Sequence, residues 1–109
     1  MFSSNFERLD TMAFIKRQNE HASKCFATHG VDGAAHTVEQ HGRIVTYVSM
    51  HRADRTGWHS WIDIAKDYAI GVIFSDTDPD RTLTVQNYTM VAAPPGGRMA
   101  VVAIVWDVL

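Results

Sequence analysis

The sequence carries a single cysteine, Cys25, among 109 residues, which excludes an internal disulfide and fits a reducing compartment. It lacks both a polybasic stretch and an acidic tail. Its 10 basic and 12 acidic side chains leave a formal charge of −2, which argues against phosphate-driven binding of nucleic acid. The local pairs Lys16-Arg17 and Arg52 with Arg55 read as solvated faces. No apolar run is long enough to cross a bilayer as a helix. The first residues, Met1-Phe2-Ser3-Ser4-Asn5-Phe6-Glu7, lack the basic and apolar regions of a signal peptide. The expectation is a cytoplasmic protein with neither a nucleic-acid nor a membrane partner. Linkers, repeats and low-complexity stretches are also missing, so residues 1–109 read as a single domain. A hydrophobic fraction of 46% against 20% charged is that of a folded chain rather than a disordered one.

What is present reads as alternating helical and strand segments. Ser4 and Glu7 have capping-box spacing, and Asp10 is a second candidate cap. Met12, Ile15, Ala22 and Phe26 then recur at helical intervals, with Gly30 as the stop signal. After Gly33 the period changes. Ala34 to Gln40, the pair His41-Gly42, and Arg43 to His51 predict a hairpin with a two-residue turn. Trp58, Trp61, Ile62, Ala65, Tyr68 and Ala69 fall on one side of a second, short helix. Ile70 to Ser75 reads as a strand, Asp76 to Asp80 as a turn, and Arg81 to Ala93 as a long strand with a bulge near Asn87 and Tyr88. Pro94-Pro95-Gly96-Gly97 reverses the chain. The expected fold is α+β: an antiparallel sheet of about five strands with an N-terminal helix and a second short helix, in the order α-β-β-α-β-β-β.

The closing segment, Met99 to Leu109, contains Asp107 as its one charge and shows no alternation of apolar with polar residues. That pattern belongs to a strand covered on both faces, and so small a chain rarely has material to cover both. The strand therefore implies a partner surface.

Candidate chemistry is sparse. His21 and Cys25 lie four apart, so a helix could let them share one zinc ion; His29, four further on, could join only by straining toward Cys25 or by unwinding near Gly30, with His36 then completing the set, and packing is the simpler role for all of them. A Cys25 nucleophile beside a histidine base is disfavoured, because the thiol sits toward the carboxyl end of its helix, where the dipole opposes an anion. Asp76-x-Asp78-x-Asp80 imitates the start of a calcium loop but lacks the required glycine and glutamate. His51, Arg52, Asp54, Arg55, His59 and Ser60 gather at the exit of a strand, where binding groups collect. Trp58 and Trp61 read first as core, and alternatively as an aromatic anchor for a partner. No catalytic spacing is present, so neither a catalytic set, a metal nor a cofactor is assigned. The binding residues expected are Trp58, Trp61, Arg52, Arg55, His51 and His59.

The element order resembles that of the roadblock and profilin-like groups of regulatory modules, and Gly30-Val-Asp-Gly-Ala-Ala35 resembles the start of a roadblock domain. The third helix of that group is missing here, and no residue role is carried over. The sequence thus leads to a small non-enzymatic binding protein, expected to be homodimeric and to act through protein contacts. Inhibitory proteins of phages or mobile elements and small accessory subunits both fit. The rivals are a small enzyme or ligand-binding domain with a pocket served by His51, His59 and Asp54, and a zinc-binding helix.

Overall fold

The computed structural model describes residues 25–52, 60–75, 82–93 and 97–108. Strands β1 (Asp32–Gln40), β2 (Arg43–His51), β3 (Leu83–Ala92) and β4 (Met99–Val108) form one antiparallel sheet in the order β1-β2-β4-β3. A helix, α1 (Trp61–Ser75), joins the two halves. The closing apolar strand is therefore internal, with β2 and β3 on either side.

The helical residues 25–28 end as the glycine predicts. Gly30 takes a left-handed φ of 67°, its N–H donates to Ala27 O at 3.1 Å, and the Val31 N–H donates to Phe26 O at 2.9 Å. This is a Schellman termination, and the buried pair Phe26 and Val31 supplies its customary apolar contact. The hairpin also forms as expected. His41 and Gly42 have φ of 52° and 77°, the positive pair of a type I′ turn, and Gln40 faces Arg43 across it.

Ser60 caps α1: its Oγ accepts the Asp63 N–H at 3.1 Å, while its carbonyl accepts the Ile64 N–H at 3.1 Å. The helix then continues through residues 70–75, where a strand was expected, so among the described residues the sheet has four strands rather than about five. The β-branched run Ile70-Gly-Val-Ile73 is overridden by packing. Trp61, Ile64, Ala65, Tyr68, Ala69 and Val72 keep a helical period and are all buried.

One face of the sheet, the inner one, packs against α1. Ile44, Val48 and Met50 of β2 and Ala100, Val102, Ile104 and Trp106 of β4 join the helix residues and Phe26 in one buried cluster. Phe26 and Tyr68 stack at 5.5 Å. A polar knot lies within this layer: Trp106 Nε1 donates to Thr46 Oγ1 at 2.8 Å, and Thr46 Oγ1 shares a 2.9 Å hydrogen bond with Thr37 Oγ1. Gly33 is required by packing. A Cβ there would intrude on the Phe26 ring, so the ring lies directly on the β1 backbone.

β3 has the bulge expected near Asn87, a register shift between Val85 and Asn87, and a second between Met90 and Ala92. Among the described residues, no helix is long and apolar enough to cross a membrane.

Candidate contact surface

Successive strand residues point to opposite faces, so the register defines what the sheet presents on its other, outer face. Asp32, His51 and Met99 form a row at one end. The next row is Ala34, Ser49, Val101 and Ala92, crossing all the strands. Behind it come His36, Tyr47, Ala103 and Thr89, then Val38, Val45, Val105 and Asn87.

The β4 side of this face is apolar but not sealed. Val102 and Ile104 on the inner face are fully buried; on the outer face Ala103 and its diagonal neighbour Val45 are buried too, Val101 and Val105 are half-buried and Met99 is 53% exposed. Among the described residues, β4 is thus well shielded on its inner face and least shielded at Met99 on its outer face.

The row of small residues makes a trough of ≈ 440 Å³ with an almost wholly apolar surface, floored by Ala34, Ser49, Val101 and Ala92. Met99 and His51 bound it on one side, with Asp32 at the β1 end. On the other side Tyr47 leans away, its hydroxyl donating to Gln40 Oε1 at 2.7 Å. That contact draws the largest side chain of the outer face off the small-residue row. Arg43 Nη1 donates to Gln86 Oε1, tying β2 to the first bulge of β3.

Of the residues expected to bind, His51 lies exposed on this face and lines the trough. Arg52 is half-buried beside it. Its N–H donates to Arg98 O at 2.9 Å, its Nε to Gly97 O at 3.4 Å, and its guanidinium sits 4.0 Å from the centre of the Trp61 ring. Trp61 itself is 8% exposed and belongs to the inner cluster. Trp58, Arg55 and His59 lie outside the described residues, as does Asp54.

Of the helical histidine–cysteine set, Cys25 and His29 are among the described residues. His29 Nε2 is 2.9 Å from Asp67 Oδ2, so it clasps α1. His36 is on the outer face, across the sheet from that clasp. His21 is outside the described residues, and no cluster of three or more potential metal ligands occurs among the described ones. Burial pushes the Cys25 thiol up, and the nearby Asp67 carboxylate pushes it further, so the thiolate needed by a nucleophile is disfavoured.

The sequence reading missed Ala34, Ser49, Ala92 and Met99. Each is unremarkable along the chain and acquires a role only through cross-strand register. Compared with protein-family models, with curated proteins and with solved structures, the chain finds no match.

Proposed function

We propose that this protein is a small cytoplasmic, non-enzymatic binding module, an inhibitor or accessory subunit, whose contact surface is the outer face of the sheet. The observation that carries this reading is the apolar outer side of β4, away from α1, where Met99 is exposed and Val101 and Val105 are half-buried about the buried Ala103. Exposed apolar surface of this kind, with small residues making room for a partner's side chains, characterises the centre of a protein contact. Asp32, His51 and Asn87 would form its polar rim. The test compares partners captured by the wild type with those captured by Met99→Glu and Ala92→Glu, both at exposed positions. Loss of partners with an unchanged circular dichroism spectrum supports the reading. Equal capture by both variants contradicts it.

A second reading is favoured by the trough itself, whose volume falls in the usual range of small-ligand sites, about 300–1,000 Å³. There Asp32 and His51, neighbours across β1 and β2, would orient an apolar molecule. Saturable one-to-one binding of a small apolar dye, weakened by His51→Ala, would favour this reading over a protein contact.

A further inference from the structure

Two hollows meet at the start of β1. One is the apolar trough on the outer face. The other, of ≈ 380 Å³, is lined among the described residues by Phe26, Ala27, Gly30, Val31, Asp32 and Gly33. Asp32 and Gly33 line both hollows, and both residues are exposed. Asp32 faces outward with Ala34, whereas a Cβ on Gly33 would point into the Phe26 ring on the inner side.

The second hollow differs in chemistry from the trough. Its surface is mostly polar, although every lining side chain except that of Asp32 is apolar or missing. The polar surface is therefore main chain together with the Asp32 carboxylate. Donors among that main chain are already engaged: the Gly30 N–H donates to Ala27 O and the Val31 N–H to Phe26 O. A carbonyl such as that of Ala27, which accepts one bond, keeps a second lone pair. The hollow thus offers acceptors and a negative charge, and it suits a group that only donates. An ammonium carries three N–H donors, no acceptor and a positive charge. The trough, with Ala34, Ala92, Met99 and Val101, suits an apolar chain instead. His51 stands opposite Asp32 in the register and lines the trough, while the guanidinium of Arg52 lies on the Trp61 ring of the inner side.

We infer that the trough takes a cationic amphiphile, a molecule whose apolar chain lies on the small-residue row and whose protonated amine sits at Asp32, toward the second hollow. This occupant rests on the small-ligand reading of the trough and adds the chemistry of its head group. An anionic head would meet the Asp32 carboxylate, and a neutral chain would leave the acceptors of the second hollow unused.

The test titrates the full chain with n-octylamine, n-octanol and octanoate near neutral pH and follows the backbone amide resonances. Octylamine should bind in a saturable one-to-one manner, about tenfold or more tighter than octanol. Its shifts should include Val101 in the trough and Gly30 and Gly33 in the second hollow. Asp32→Asn should lower the affinity for octylamine to that for octanol. It should leave octanol binding unchanged, which also shows that the variant is folded. Equal binding of octylamine and octanol, tighter binding of octanoate, shifts confined to the trough, or an amine preference that survives in Asp32→Asn would each overturn the cationic head and leave the small-ligand reading standing. Binding of none of these probes would remove both.

Discussion

At the scale of single residues, two positions hold more than their size suggests. Gly33 lets the Phe26 ring lie on the β1 backbone, and Phe26 in turn stacks on Tyr68. Gly33→Ala should destabilise the fold by about 1–3 kcal/mol through overpacking, read as a lower urea midpoint. Trimming the ring in a Phe26→Leu background should make that penalty smaller, because the two positions share one contact. Thr46 is the hub of the buried knot, accepting from Trp106 and bonded to Thr37. Thr46→Val keeps the volume but removes the acceptor of the indole N–H, at a cost of about 1–3 kcal/mol. An unchanged midpoint would show that the knot contributes nothing. Neither role is visible along the chain: a glycine in a strand and a threonine in a strand are ordinary until the ring and the indole are placed against them.

At the scale of elements, the boundaries set by local chemistry are legible in the sequence. Gly30 stops a helix through a left-handed φ, and His41-Gly42 closes a hairpin through two positive φ values; both are short-range effects that one or two residues determine. The slip of alternation at Asn87 likewise marks a real bulge. Residues 70–75 were misread because their β-branched content competes with a helical period that matters only once Val72 has a core to enter. The candidate surface was less legible still. His51 was found as one of a polar cluster, but Ala34, Ser49, Val101 and Ala92 come from separate strands and are joined only by register. The start of α1 is set by Ser60, whose Oγ accepts the Asp63 N–H. Ser60→Ala should therefore cost about 1 kcal/mol, whereas Ser60→Asp should cost little, as measured by thermal unfolding.

At the scale of the whole molecule, the described residues form a layer whose inner face packs on α1 and whose outer face is most exposed at the Met99 end. The covered side governs stability, and it responds to alkali. Burial raises the Tyr68 phenol strongly, with a further push from Cys25; burial also raises Tyr88, and burial with Asp67 raises Cys25. In each case the folded chain keeps its proton to higher pH than the unfolded chain does. Stability from these groups is fully present below the ordinary thiol and phenol ranges and falls as pH rises through them. For the fully buried Tyr68 the loss approaches about 1.4 kcal/mol per pH unit above roughly 10. Urea midpoints should thus decline between about pH 8 and 11, with a shallower decline in Tyr68→Phe. A midpoint that rises over that window contradicts this.

Association is the role proposed for the outer face. Burying a methionine or valine side chain fully contributes about 1.5–3 kcal/mol, so a charge in place of Met99 should weaken a contact there by tenfold or more. The decisive measurement is the quantity of each partner, other than the chain itself, retained by wild-type and Met99→Glu protein at equal concentration. A drop of at least about tenfold, with the dichroism spectrum unchanged, is the expected result. Equal retention by a folded Met99→Glu variant would mean that partners are held elsewhere and that the outer face is not the contact surface.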